Sequence, residues 1–487
     1  MKCISRRKFV KSSLCAGVAA AVPWSRALGA NSDIRMGIVG LGSFVKIGGK
    51  GRGDLRDFLA IPGVRVVAAC DCDTAHLEPV VKECRDRGEQ VTPYKDVRKL
   101  LDDKSIDAIS IATPNHWHAL ITVWACQAGK DVFVQKPASH NIYEGRRMVE
   151  AAEKYHRVVQ ATHGTRSNGA IAAAFDYARR GNLGKALYVH GVNYKPRMSI
   201  GKVSGPQPIP ASCDYGLWSG PAPLAPLMRK HLHYDWHWDW ETGNGDLGNM
   251  GIHFMDSCRW AVQQPELPRR VISIGGRLGY DDDGETPNTL ITFFDYEPVP
   301  IIFEVRGLPK NKAFQKSGWE NNMDTYHGAR YGAIVRCEDG YVLSGSAYDN
   351  RGNLIKKFEN DRVGTKENFI EVVRTRKTEN LYTDVIEGHL SCALLHMANI
   401  SYRVGKERSS GEIREVIQGK RNLTKSFERF LAHLDANDVD LTKTPAKLGP
   451  MLEFDPQTER CVGEYSSEAN QLVSRAYRKP FVVPKDV

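Results

Sequence analysis

A chain of 487 residues, 41% hydrophobic and 25% charged, has the composition of a globular protein with two or three domains. The formal charge is +10, but residues 1–29 hold six uncompensated bases (Lys2, Arg6, Arg7, Lys8, Lys11 and Arg26), which leaves +4 over the rest. That balance excludes a nucleic-acid-binding surface built on bulk charge. Nine cysteines follow Cys3 and Cys15. They are scattered and odd in number, so they form neither a disulfide framework nor a zinc motif, and no metal site is expected.

Residues 1–29 read as a targeting segment. Ser5-Arg6-Arg7-Lys8-Phe9-Val10-Lys11 has the form of a twin-arginine export signal. The apolar stretch 14–22 is too short to span a membrane. Ala27-Leu28-Gly29 offers small residues for cleavage ahead of Ala30, and Leu14 makes Cys15 a poor lipoprotein site. The expectation is a periplasmic or otherwise exported protein with the twin-arginine machinery as a partner and no stable membrane anchor. That route suits proteins that fold first, often around a tightly bound cofactor.

From Asp33 the chain alternates apolar runs with amphipathic stretches. Strands are expected at 34–39, 64–69, 106–112, 131–134 and 158–161. Helices are expected at 75–87, 97–101, 116–128 and 143–155. Alternation at this pitch predicts an α/β, Rossmann-type domain over 33–162, a doubly wound parallel sheet. Ligands bind such sheets at the carboxyl ends of the strands. The glycine turn Gly40-Leu41-Gly42-Ser43-Phe44-Val45 lies at one such end and lets backbone approach a pyrophosphate at a helix N-terminus. Asp71 ends the second strand, suits a ribose diol and opposes a 2′-phosphate, so NAD is expected over NADP. Asp71 comes 29 residues after Gly42, and valine holds the third glycine position. Both departures read as an insertion, 45–53, that delays the first helix.

Thr113-Pro114-Asn115-His116-Trp117-His118 and Val134-Gln135-Lys136-Pro137 occupy two further strand ends. Here the sequence resembles the glucose–fructose oxidoreductase and inositol dehydrogenase family, most closely its secreted bacterial branch. That family carries Glu-Lys-Pro where this chain has Gln135-Lys136-Pro137. The resemblance implies a cis bond before Pro137 and a lysine beside the nicotinamide, whose positive charge would lower the lysine pKa. The cofactor-binding candidates are Gly40, Gly42, Ser43, Phe44, Asp71, Thr113, Asn115, His116, His118, Lys136 and Pro137.

Residues 163–487 change character. A helix at 168–180 and a strand at 185–194 precede several strands that alternate or pair across turns such as Glu338-Asp339-Gly340, then helices at 366–375 and 384–402. The expectation is an α+β substrate domain with a largely antiparallel open sheet. The resemblance assigns it the substrate wall and often a dimer interface, hence a homo-oligomer. Residues 196–226 are rich in proline and read as an irregular arm. In the glycine-rich stretch before Asp256, Asn249, His253 and Asp256 share one side of a helix. The family places an aspartate and a histidine four apart there. Asn249 stands in for the aspartate, so Lys136 and His253 would share proton transfer while Asn249 orients the hydroxyl. Indoles in His231-Leu232-His233-Tyr234-Asp235-Trp236-His237-Trp238-Asp239-Trp240 suit stacking on a sugar. Substrate candidates are His116, Arg166, Lys195, Trp236, Trp238, Asn249 and His253.

The function expected is oxidation of a ring hydroxyl of a sugar or glycoside, plausibly at C3, with NAD retained between turnovers. A glycosidase that oxidises C3 transiently, expels the aglycone by elimination, adds water and restores the hydroxyl would use the same residues. A nucleotide-bound sugar sensor is the third reading.

Overall fold

The computed structural model describes residues 33–42 and 49–487. The expected export segment, Ser43, Phe44 and residues 45–48 of the expected insertion lie outside the described residues. Six parallel strands form the first sheet: β1 (Ile34–Val39), β2 (Val64–Cys70), β3 (Thr92–Tyr94), β4 (Ala108–Ile111), β5 (Asp131–Val134) and β6 (Val159–Ala161). Their order is β3-β2-β1-β4-β5-β6, the two-halved order of a dinucleotide fold. β4, β5 and β6 are buried throughout, which is why they read as unbroken apolar runs. Five helices cover the two faces: α1 (Lys50–Leu59), α2 (Thr74–Asp86), α3 (Val97–Asp102), α4 (Asn115–Gln127) and α5 (Ile142–Lys154). Asp73, Asp96 and Asn141 cap α2, α3 and α5 by accepting backbone N–H groups.

Sequence patterning passed over α1 because Gly51 and Gly53 interrupt it. The helix nonetheless begins at Lys50, inside the expected insertion. Gly51 shows why glycine is needed: a Cβ there would lie 1.9 Å from the carbonyl oxygen of Gly40. It does the close helix–strand packing of the third fingerprint glycine, six residues after the Val45 position. The short edge strand β3 also gave no periodic signal.

The second sheet follows α6 (Gly169–Arg179) and starts with β7 (Ala186–Asn193). The arm carries the short α7 (Tyr215–Ser219), and α8 (Ile252–Val262) follows it. Then follow β8 (Arg270–Gly276), β9 (Thr289–Phe294), β10 (Ile301–Arg306), β11 (Tyr331–Cys337), β12 (Gly340–Leu343), β13 (Ser346–Asp349) and β14 (Leu354–Lys357). The order is β14-β13-β12-β11-β7-β10-β9-β8, extended beyond β8 by short strands from the C-terminal quarter. Every pair is antiparallel except β7 with β10. The chain then returns to the first sheet. α9 (Thr365–Thr375) packs Phe369 against Phe58 and Phe133, and α10 (Val385–Val404) lies on α5. Val473 and Phe481 of the tail join the same core. Among the described residues no helix is long and apolar enough to cross a membrane.

Candidate active site

The carboxyl ends of β1, β2, β4 and β5 open into a cleft of about 320 Å³ that the second domain closes. Gly40 and Gly42 have φ of 81° and 74°, and a Cβ on Gly40 would lie 2.7 Å from the backbone nitrogen of Thr113. Only glycine lets β1 turn that tightly against β4. Asp71 sits beside the turn and accepts the Leu41 N–H at 2.8 Å and the Asp73 N–H at 3.0 Å. These residues fit a dinucleotide. The glycines leave room for a pyrophosphate, and Asp71 presents a carboxylate to a ribose diol and its charge to any 2′-phosphate.

Lys136 lies two residues past the end of β5, and its bond to Pro137 is cis, as the family resemblance implies. Its Nζ donates to the Asn249 carbonyl oxygen and lies 3.3 Å from Asn249 Oδ1. Burial, then the Arg197 guanidinium, lower its pKa to about 8 against the pull of Asp246. Gln135 points the other way. Its amide donates to Asp54 Oδ2 at 2.7 Å and its oxygen accepts from Thr162 at 2.9 Å. Buried Asp54 also accepts from Ser110, and its other oxygen lies 2.9 Å from both Lys50 and Lys366. A carboxylate is therefore present behind Lys136, but on α1 rather than in the Gln-Lys-Pro turn. The amide at 135 suits that neighbour as a donor.

Asn249 lies in a wide π turn, Leu247–Gly251, that leads into α8. Such turns re-aim side chains and recur at functional sites. Asn249 thereby faces Lys136, while His253, one turn on, donates from Nδ1 to the His163 carbonyl oxygen at 2.5 Å. Burial, then the Lys136 charge, push His253 down to about 3, so its ring is neutral with Nε2 as the acceptor. His253 lies behind Asn249 rather than on the cleft wall. Asp256 leaves this face altogether. It takes Arg166 Nη2 at 2.9 Å and Ser391 at 2.7 Å. Burial would raise its pKa, but Arg166 and then His163 hold it well below the carboxylate range.

The wall opposite Lys136 is the short turn Asp235–Trp238. Trp236 lines the cleft and stacks on His237, with ring centroids 3.6 Å apart. His237 donates from Nδ1 to the Tyr234 carbonyl oxygen at 2.6 Å. Burial, then the nearby Lys136 and Arg197, lower it to about 3 against that hydrogen bond. It is therefore a second neutral imidazole with Nε2 free to accept. Sequence reading treated this run as a sugar-binding wall and gave His237 no part in proton transfer. The signal was its place between two indoles.

The remaining candidates divide. Thr113, Asn115 and His118 line the cleft. His118 bridges the carbonyl oxygens of Thr113 and Pro137, both at 2.7 Å, and so ties β4 to the lysine turn. His116 does not reach the cleft, because its ring nitrogens meet the Thr242 and Trp218 carbonyl oxygens at 3.3 and 3.1 Å. Arg166 is committed to Asp256 and Glu387, not to a ligand. Lys195 lies over the Tyr331 ring, 6.0 Å from its centroid, and Trp238 is buried with Arg197 above it.

The fold and this cleft define an oxidoreductase-type dinucleotide-binding protein with a separate substrate wall. Residues 34–163 match the model of the oxidoreductase family with an NAD-binding Rossmann fold, and residues 183–316 match that family's C-terminal alpha/beta domain. The chain belongs to this family, and its cofactor is NAD. Levoglucosan dehydrogenase of Pseudarthrobacter phenanthrenivorans is 27% identical over 255 residues, covering 49% of this chain and 57% of that protein. A glycosyl hydrolase family 109 protein of Shewanella sp. strain ANA-3 is 28% identical over 173 residues, covering 34% of this chain and 37% of its own. The chain thus spans about half or less of the curated relatives it matches. The fold is shared with the WlbA dehydrogenase of Bordetella pertussis, solved with NADH and UDP-GlcNAcA, at a TM-score of 0.54 and 19% identity, over 76% of this chain and 97% of that one.

Proposed function

We propose that this protein is an NAD-dependent oxidoreductase acting on a ring hydroxyl of a sugar or glycoside, at C3. The observation that carries this reading is the meeting of Lys136, Asn249 and His237 at one end of the cleft whose other end holds Gly40 and Asp71. Bound there, the nicotinamide supplies the two-electron acceptor. The protein supplies the rest. Trp236 stacks on a ring face, and the Asn249 amide orients the hydroxyl. Lys136, with its pKa near 8, takes the hydroxyl proton, and a fixed positive nicotinamide beside it lowers that value further. His237 and His253 both present an unprotonated nitrogen, so either can relay the proton onward.

The export signal expected at residues 1–29 would set this chemistry outside the cytoplasm, where free NAD is not replenished. In this reading the nucleotide stays bound and a second sugar reverses its redox state. A redox-neutral glycosidase is the alternative, and the family 109 relative favours it. The experiment is to identify the nucleotide released on denaturation, then analyse products from a panel of hexosides and inositols by mass spectrometry. Keto-sugar formed with one reduced nucleotide supports the oxidoreductase. Cleaved glycoside with no net keto-sugar refutes it in favour of the glycosidase. Sugar binding without any product refutes both.

A further inference from the structure

The arm from β7 meets the nucleotide-binding domain just past Asp71. Thr74 donates its N–H to the Ser212 carbonyl oxygen, and Asp214 donates to that of Cys72, both at 3.0 Å. Asp73 and Cys213 are paired between these bonds. His233, just beyond the arm, brings Nε2 to 2.9 Å from Asp73 Oδ2. We propose that Asp73, Cys213 and His233 bind a zinc-class divalent ion that clips the arm to the nucleotide-binding domain.

The ligand atoms of these three residues all lie within 4.8 Å of one another. Ligands at ~2.0–2.3 Å from a tetrahedral ion stand roughly 3.3–3.8 Å apart, so a small shift closes the shell. The Cys72 thiol neighbours the Cys213 thiol but lies outside this group, so the fourth position falls to water. Thiolate, imidazole and carboxylate together suit zinc and exclude magnesium and calcium, which take oxygen ligands. The shell behind the ligands is also built. Asp73 Oδ1 is fixed by the Ala75 N–H at 2.9 Å, and the His233 ring is held by that of His76, with centroids 4.4 Å apart. Binding displaces the Asp73–His233 hydrogen bond and releases the Cys213 thiol proton to solvent. The spacing of these residues, 73, 213 and 233, matches no linear motif, because the fold assembles the site from two distant segments.

The site borders the ribose end of the cleft through Cys72 and His233. Resting on the NAD reading, the clip would also slow nucleotide release. The test uses the full chain purified without chelators and with thiols reduced, titrated with zinc chloride against a chromophoric chelator. Metal content is read by mass spectrometry, and thermal midpoint is read with and without zinc. The expected result is one zinc per chain and a higher midpoint with zinc. Cys213→Ser and Asp73→Asn should each weaken binding by more than about 100-fold, beyond what loss of an outer-shell partner costs. Comparing the wild-type protein with and without zinc keeps the test valid if a variant folds poorly. No zinc uptake by reduced protein, zinc retained in both variants, or a Cys72–Cys213 disulfide in the protein as recovered from its host would each overturn the proposal. None of these results bears on whether the cleft oxidises sugars.

Discussion

Lys136→Met should remove turnover and yet leave the nucleotide-free protein at least as stable as wild type near neutral pH. The pKa of Lys136 falls from an ordinary lysine value of 10.5 to about 8 in the folded chain. Such a fall means that the folded state holds the charged form at a cost of about 3 kcal/mol, at ~1.4 kcal/mol per unit. Partial access of water from the cleft screens this to about 1–2 kcal/mol. Methionine keeps the stem and removes the charge. It also gives up hydrogen bonds to Asn249 worth about 1 kcal/mol. The net change at pH 7 is therefore between about zero and 1 kcal/mol in favour of the variant. Below the folded pKa, near 8, Lys136 is protonated in both states and its full burial cost is present. Between about 8 and 10.5 the unfolded chain binds more protons, so wild-type stability rises with pH. Above 10.5 both states are neutral and the cost is gone. Urea denaturation at pH 7 and pH 10, on protein stripped of nucleotide, measures this. A variant destabilised by several kcal/mol at pH 7, with a gap unchanged at pH 10, would show that Lys136 is a structural lysine and would refute the reasoning.

Three further substitutions probe the rest of the site. Arg166→Met strands buried Asp256 and should cost about 3–5 kcal/mol in urea denaturation. Because the Asp256 pKa is depressed, the lost stabilisation is present at neutral pH, so the gap should close as pH falls below the ordinary aspartate range. Asp71→Asn removes the charge that opposes a 2′-phosphate, and the NAD-over-NADP ratio of kcat/KM should fall about tenfold, the effect of ~1.4 kcal/mol. His237→Gln should lower kcat by about 10²–10⁴-fold with KM little changed if the ring relays a proton. A change in KM alone would reduce His237 to a binding group.

The nucleotide end of the cleft was legible because its signals are local. Gly40-Gly42, Asp71, Thr113 and Lys136 each terminate an apolar run, and the parallel sheet brings strand ends together by construction. α1 was missed because tertiary packing overrides propensity: Gly51 weakens the helix but is required against Gly40. The substrate end was read less well. Helical spacing put Asp256 beside Asn249 and His253, but the π turn shifts the phase ahead of α8, and the Arg166 guanidinium claims Asp256. No periodicity in the sequence reveals a π turn. Arg166 and His116 looked available for a ligand because their partners, Asp256, Thr242 and Trp218, lie 90, 126 and 102 residues away and meet them only in the fold.

Two acids expected around Lys136 are amides in this chain, and the structure gives the pair a common consequence. Gln135 faces Asp54, whose charge two lysines already compensate. Asn249 meets Lys136 with a neutral oxygen, and the nearest carboxylate on that side, Asp246, is held by Arg197 at 2.6 Å. Lys136 therefore lacks a dedicated counter-ion, and burial and Arg197 prevail over Asp246. Asn249→Asp restores the counter-ion at a position already within 3.3 Å of Nζ. A paired charge at that distance should raise the Lys136 pKa by about 1–3 units. If neutral Lys136 is the base, the ascending limb of kcat/KM against pH, set near pH 8, should move up by the same amount, and activity at pH 7 should fall by about tenfold or more. If His253 or His237 is the base instead, the ascending limb lies far below pH 8, at that histidine's own pKa, and the added carboxylate should move that low limb up while activity at pH 7 stays near wild type. A profile unchanged on both limbs would remove all three groups from the rate-determining proton transfer.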